Sequence, residues 1–144
     1  MRDTESRVGI SDYPLAEKRP DLVKTASGRA LDDLTLAAIE SGEITLEDLR
    51  ITPQALLYQA QVSRDAGRPT LARNFERAAE LVDVPQDFLL EVYELLRPGR
   101  AKAKSELLQV ATTLRASFGA EHMAVFVEEA AKVYERRGLF TYRF

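Results

Sequence analysis

The sequence predicts an all-α protein, a small bundle of about five main helices with several shorter ones. Apolar residues recur at spacings of three and four, as in Leu107, Ala111, Leu114 and Phe118, which places them on one face of a helix. Threonines, prolines and glycines stand where such helices are expected to begin and end. No segment of useful length shows the apolar–polar alternation that is typical of a strand.

Composition excludes several classes of protein. The chain has 144 residues, 45% hydrophobic and 30% charged, which fits one ordinary globular domain. A net charge of −3 and a pI near 5.3 argue against a general nucleic-acid-binding protein. The absence of cysteine excludes disulfides, thiolate metal sites and cysteine nucleophiles. Since no secretory or membrane-spanning apolar run is present, we expect a soluble intracellular protein.

We divide the chain into three parts. Residues 1–11 are polar and aperiodic, which predicts a mobile N-terminus. Residues 12–30 contain Pro14 and Pro20, which disfavour a continuous helix, among apolar residues that are unusual for disorder. We interpret this part as an extended arm that packs on another subunit, and residues 31–144 as the helical domain. Residues 25–29 carry one glycine and no phosphate-loop lysine, so we expect a turn with positive φ at Gly28.

The helical domain is expected to start with short elements. Thr35 can cap a helix over residues 36–41, and Thr45 with Asp48 resembles a capping box. A helical hairpin then follows, with Thr52 and Pro53 at its start. Gly67 and Pro69 are typical of the corner between its two helices. On the second helix, the predicted apolar stripe consists of Leu71, Phe75, Ala78 and Val82.

Three further helices complete the prediction. Pro85 opens one with Phe88, Val92 and Leu95 facing inward, and residues 97–100 end it. The helix over residues 102–118 ends at Gly119, and the helix over residues 121–137 ends at Gly138. The inward residues of the last helix are Met123, Val127, Ala130 and Tyr134. The tail after Gly138 is very apolar, and the sequence assigns it no role.

No catalytic, cofactor-binding or metal-binding residue is predicted in this chain. His122 is the single histidine and has no companion ligand in sequence. Pairs of acids occur at residues 32–33, 47–48 and 128–129, but adjacent side chains on a helix point about 100° apart and do not converge on one substrate. The expected roles of these residues are capping and solvation.

The residues that favour an interaction role are arginines and aromatics. Arg64, Arg68, Arg73 and Arg77 cluster around the hairpin corner, either in ion pairs with Asp65, Glu76 and Glu80 or at an interface. The aromatic candidates for an interface or a core are Tyr13, Tyr58, Tyr93, Phe140, Tyr142 and Phe144. From the residues alone, we expect a helical interaction module; a free-standing adaptor that binds an acidic partner through the arginines is the alternative.

A series of motifs resembles the small (gamma) subunit of coenzyme-B12-dependent diol and glycerol dehydratases. The longest match runs over residues 64–69 (RDAGRP), 71–74 (LARN) and 76–81 (ERAAEL). The other motifs lie at residues 12–16 (DYPLA), 18–20 (KRP), 49–52 (LRIT), 95–98 (LLRP), 105–108 (SELL) and 124–131 (AVFVEEAA). They span the chain from residue 12 to about residue 137 in one order, which is far more specific than any short motif.

This resemblance implies a non-catalytic small subunit of a heterotrimer that itself dimerises. In this family a large TIM-barrel subunit binds substrate and a metal ion, adenosylcobalamin lies between the large and medium subunits, and a 1,2-diol such as propanediol or glycerol loses water by radical chemistry to give an aldehyde. The small subunit would bind no cofactor, and it would complete and stabilise the complex in the bacterial cytoplasm. The implied large-subunit contacts are Tyr13, Pro14, Leu15, Arg19 and Pro20, and we add Arg64, Arg68 and Arg73 as interface candidates.

Two features depart from the family pattern. Only eleven residues precede Asp12, where some members carry a longer extension that directs the enzyme into a microcompartment. Microcompartment association is therefore expected to need a signal outside this chain. The tail after Gly138 is aromatic where relatives tend to be charged.

Overall fold

A computed structural model describes residues 7–141, and all regular elements in that range are helical. The seven α-helices are α1 (Leu15–Lys18), α2 (Leu36–Glu40), α3 (Pro53–Asp65), α4 (Pro69–Leu81), α5 (Gln86–Leu96), α6 (Lys104–Phe118) and α7 (Glu121–Arg136). Three 3₁₀ turns cover Ile10–Asp12, Pro20–Leu22 and Leu31–Asp33. Within the described range, extended pairing is limited to one isolated bridge between Lys24 and Ala30. The all-α prediction is confirmed. The chain divides after Ala79 into two compact units.

The N-terminal part is folded onto α3 of its own unit. Val8 and Leu15 form a buried cluster with Tyr58 and Val62. The Val8 N–H donates to Gln61 Oε1 at 3.0 Å, and the Ile10 N–H donates to Asp65 Oδ2 at 2.8 Å. These contacts are long-range in sequence, so local patterns could not predict them.

Two expectations about this part are therefore corrected. The described end of the predicted mobile N-terminus, residues 7–11, is attached to α3 by Val8 and two backbone hydrogen bonds. Residues 1–6 lie outside the described range. The segment 12–30 is not extended throughout, because α1 and the turn Pro20–Leu22 lie within it. Its prolines break the helix into short pieces, as each restricts the residue before it.

The helical hairpin forms as its capping residues predict. Thr52 Oγ1 accepts the Ala55 N–H at 3.1 Å, and Pro53 is the first residue of α3. Gly67 adopts a φ of +74°, a left-handed conformation that disfavours a side chain. The Arg68 N–H then donates to Ser63 O at 2.8 Å, which closes the end of α3.

The predicted stripe on α4 is shifted by one residue. Ala72 and Ala79 are the buried positions of this helix, while Leu71 is exposed. Phe75, Ala78 and Val82 are only half-buried. Residues 72 and 79 are two helical turns apart and share a face. The predicted helical period is correct, but the predicted buried face is wrong. The prediction favoured the large apolar side chains over the alanines on the neighbouring face.

The core of the second unit lies on α6 and α7, which pack against each other. Leu107, Leu114 and Val127 are its largest fully buried side chains. Partly buried hydrophobic residues of α4, α5 and the C-terminal segment cover this core: Leu81, Phe88, Leu95, Leu96 and Phe140. The inward faces predicted for α5 and α6 are confirmed. On α7 the buried positions are Ala124, Val127 and Ala131, with Met123 and Tyr134 at the edge.

The ends of α6 and α7 are fixed by specific contacts. Gly119 has a φ of +62° and ends α6. The Glu80 carboxylate accepts the backbone N–H groups of His122 and Met123, each at 2.9 Å, and so caps α7. In the apolar tail, Phe140 packs on the ring of Tyr134 with centroids 6.3 Å apart. Tyr142 and Phe144 lie outside the described residues.

Replacing Leu114 by alanine should lower the free energy of unfolding by about 2–5 kcal/mol, because the side chain is fully buried and a cavity would remain. Leu108→Ala on the same helix is the matched control, since Leu108 is 39% exposed, and should cost about 1 kcal/mol or less. Urea denaturation followed by circular dichroism measures both. Equal losses would contradict the assigned inward face of α6.

Candidate functional site

Several of the acidic and histidine side chains make structural contacts within the chain. His122 Nδ1 lies 2.6 Å from Glu80 Oε1, at the cap of α7. Asp33 accepts the Ala30 N–H at 2.9 Å, and Glu128 binds Arg115 at 2.9 Å. Among residues 7–141, no group of three histidine or acidic side chains is placed to hold a metal ion. Within the same range, no helix is both long and apolar enough to cross a membrane.

The predicted N-terminal contact residues separate into exposed and internal ones. Tyr13 is 53% exposed, and Pro14 and Pro20 are also exposed. Leu15 is only 7% exposed, because it belongs to the core cluster of its own unit. Arg19 forms ion pairs with Asp21 at 3.0 Å and Asp12 at 3.7 Å, and hydrogen bonds from Arg19 lower the pKa of Asp21.

The four arginines around the hairpin corner also differ in whether they have partners within the chain. Arg64 bridges to Glu76 at 2.7 Å and links α3 to α4. Arg73 makes only a long contact of 3.4 Å to Thr70 Oγ1, and Arg77 hydrogen-bonds Asn74. The Arg68 side chain is exposed and has no hydrogen bond or ion pair to any described residue. Of the two alternatives left open by the sequence, internal pairing holds for Arg64, while Arg68 and Arg73 are available to a partner.

The most exposed apolar side chains lie in residues 31–51, which we call the acidic loop. Leu36 is 71% exposed and Leu46 is 80% exposed. The other exposed large apolar residues of this loop are Leu31, Ile39, Leu49 and Ile51. None of these residues is among the partner contacts predicted from the sequence. Their exposure could have been predicted from the sequence, because this region has many large apolar residues and only short helical elements such as α2. A helix of five residues is too short to bury so many apolar side chains.

The acidic loop is fixed at its base by a polar network. Ser27 Oγ donates to Asp48 Oδ1, and the Thr45 N–H donates to Asp48 Oδ2 at 3.2 Å. Thr25 Oγ1 lies 3.1 Å from Ser27 Oγ and accepts the Arg29 N–H at 3.1 Å. Together these bonds tie the turn of residues 25–29, with Gly28 at a φ of +84°, to the turn that Asp48 caps.

This network also determines the charge state of its central residue. The hydrogen bond from the Ser27 hydroxyl, followed by that from the Thr45 backbone, lowers the pKa of Asp48. Ile44 is buried nearby in the chain, and its N–H donates to Ala38 O at 3.1 Å. The loop therefore holds its exposed leucines on an ordered backbone.

A shallow groove adjoins the acidic loop within the first unit. Its volume is about 170 Å³, and apolar residues dominate its lining: Val23, Leu31, Leu34, Ile51 and Ala55. Asp48 and Arg50 lie at the same groove. A groove of this kind can receive an apolar side chain of a partner, with charged groups at the edge.

Comparison with known proteins shows the family of this chain. The family model described as "Dehydratase small subunit" matches residues 8–141. The chain belongs to the dehydratase small-subunit family. Its sequence is 50% identical, over 93% of this chain and 77% of the relative, to the propanediol dehydratase small subunit of Salmonella typhimurium. It is also 50% identical, over 89% of this chain and 74% of the relative, to the protein of the same name from Citrobacter freundii. The resemblance found in the sequence motifs is confirmed.

Asp48→Asn should destabilise the chain at pH 7, since an amide cannot accept both the Ser27 and the Thr45 hydrogen bonds. The pKa of Asp48 is lowered in the folded state, so its contribution is present above the unfolded pKa of about 3.9 and is lost as pH falls through the folded value. The difference in unfolding free energy between wild type and Asp48→Asn should therefore shrink below about pH 4.

Asp32→Asn is the control for this series, because no hydrogen bond or ion pair joins the exposed Asp32 side chain to the described part of the chain. Denaturant titrations between pH 7 and pH 3 measure both variants. An Asp48→Asn effect equal to that of Asp32→Asn at pH 7 would contradict the network.

Proposed function

We propose that this chain is the non-catalytic small subunit of a dehydratase that acts on a 1,2-diol, with propanediol as the substrate indicated by its relatives. The observation that carries the proposal is the family match over residues 8–141, together with 50% identity to two propanediol dehydratase small subunits. The exposed apolar side chains of the acidic loop support a role in assembly. The structural contacts of His122, Asp33 and Glu128 are consistent with it.

The family resemblance assigns the chemistry to other subunits. Adenosylcobalamin would supply the radical that starts the loss of water from the diol, and a metal ion would assist at the substrate. The donors of this chain do not fit either group, since His122 Nδ1 is engaged by Glu80 and no set of three metal-ligating side chains occurs in residues 7–141. As the family resemblance implies, the large and medium subunits would hold the cofactor and the metal, and the assembled enzyme would lie in the bacterial cytoplasm.

We propose fewer partner-contact residues than the sequence alone predicts. Tyr13, Pro14 and Pro20 would contact the large subunit, as their side chains are exposed on the N-terminal segment. Arg68 and Arg73 would add a second contact at the hairpin corner. The other three predicted contact residues, Leu15, Arg19 and Arg64, make contacts within the chain. Their proposed role is to hold the exposed contact residues in position. The free-standing adaptor is not retained, because Arg64 and Arg77 are engaged within the chain and the family match indicates a subunit.

Co-expression of this chain with large and medium dehydratase subunits should give one complex on size-exclusion chromatography. Aldehyde formation from 1,2-propanediol with added adenosylcobalamin should fall several-fold when this chain is omitted, because the complex loses a stabilising subunit. An active complex that excludes this chain would contradict the proposal. Activity with glycerol in the same assay identifies the preferred diol.

Tyr13→Ala should weaken assembly while leaving the isolated chain folded, because the ring is 53% exposed. Leu15→Ala is the matched comparison, since the neighbouring Leu15 is buried against Tyr58 and Val62 and its loss should lower the thermal midpoint of the isolated chain instead. Co-elution with the partner subunits and thermal denaturation separate the two effects. A lowered thermal midpoint for Tyr13→Ala, with normal assembly, would contradict its role as a contact.

A further inference from the structure

The acidic loop combines apolar exposure with a strong negative charge. Its 21 residues contain six carboxylates and one arginine, a formal charge of −5, whereas the whole chain carries −3. The carboxylates of Asp32 and Glu40 have no ion pair with any described residue. Glu43 and Glu47 make only long contacts to arginines, at 4.0 Å to Arg29 and 3.5 Å to Arg50. Most of this charge is left for solvent or for a partner.

The exposed apolar side chains of the acidic loop are not buried by other residues of their own unit. Leu36 and Leu46 are the two most exposed large hydrophobic residues of the described chain, at 71% and 80%. They lie in a loop whose base is held by Ser27 and Asp48, so a partner would not need to order it on binding. Because little conformational freedom would be lost, such a surface is suited to a stable interface.

We propose that the acidic loop docks on the large subunit, against an apolar side chain that lysines or arginines flank. The apolar side chain would enter the groove beside Leu31, Leu34 and Ile51, and the cations would face Asp32 and Glu40. This inference rests on the proposed function and names the chemistry of the partner surface. A symmetric contact between the acidic loops of two copies of this chain is disfavoured, since two loops of charge −5 would repel each other.

The apolar part of the proposal is tested in the co-expressed three-subunit complex. The double variant Leu36→Asp, Leu46→Asp should co-elute with the large and medium subunits at least tenfold less than wild type, because two charges would enter an apolar interface. Both side chains are exposed, so the circular dichroism of the isolated variant should match wild type. Leu90→Asp on α5, at a residue 58% exposed in the other unit, is the matched control and should assemble normally.

The outcomes distinguish this proposal from the proposed function. If wild type fails to co-elute, the small-subunit function itself is overturned. If wild type and the double variant assemble equally, or if Leu90→Asp causes the same loss, the acidic loop is not the specific docking surface.

The electrostatic part of the proposal is tested by replacing two carboxylates of the acidic loop with amides of similar size. The variant Asp32→Asn, Glu40→Gln should associate several-fold more slowly than wild type with immobilised large–medium complex at low salt, and the difference should vanish at high salt as the charges are screened. Glu129→Gln, at an exposed acid on α7, should leave the rate unchanged. Faster association of the double variant would overturn the charge assignment.

A photo-crosslinking amino acid placed at Leu46 in the assembled complex identifies the occupant. We expect a cross-link to the large subunit, beside a lysine or arginine. A cross-link to the medium subunit or to a second copy of this chain would overturn the assignment.

Discussion

The carboxylate of Asp48 is the group on which the shape of the first unit's exposed surface depends. It accepts hydrogen bonds from the Ser27 hydroxyl and the Thr45 backbone, and it is 8% exposed. A carboxylate so placed is satisfied only in its ionised form by donors on two separate turns. Since those turns lie on either side of residues 30–44, the bonds hold the two ends of that segment together. Leu36 lies between the two turns, and Leu46 lies in the turn that Asp48 caps.

The second unit is held together by a small helical core. Its core is largely one pair of helices, in which small alanines at positions 111, 124 and 131 allow close packing around Leu107, Leu114 and Val127. The Glu80 cap stabilises the start of α7, because it satisfies two backbone donors that the helix leaves unpaired. None of these contacts requires a cofactor or a catalytic group. The arrangement agrees with membership of the dehydratase small-subunit family.

Sequence patterns predicted the features that depend on neighbouring residues. The Thr52 cap, the left-handed Gly67 and the inward face of α6 follow from local geometry and spacing, and all three are present. The buried face of α4 was placed one residue away, because large side chains outweighed the alanines that permit close packing. The attachment of Val8 to α3 was missed, since it depends on contacts more than fifty residues apart in sequence.

The candidate site was predictable only in part. Tyr13 and Arg68 were identified from composition and resemblance, and both are exposed. The leucines of the acidic loop were not, because periodicity indicates which residues could share a face and not whether anything covers that face. The sequence shows several large apolar residues on a five-residue helix and its adjacent turns, among many acids. Only the structure shows that these apolar residues are exposed, which makes them a candidate site.

Hydrogen–deuterium exchange of this chain, free and in the complex with the large and medium subunits, would locate the docking surface on the chain. If the acidic loop is the docking surface, backbone amides of residues 31–51 gain protection on assembly, as do those around Tyr13. The amides of α6, which are already hydrogen-bonded in a buried helix, should change little. Protection confined to α5, with unchanged exchange in residues 31–51, would show that the acidic loop is not the docking surface.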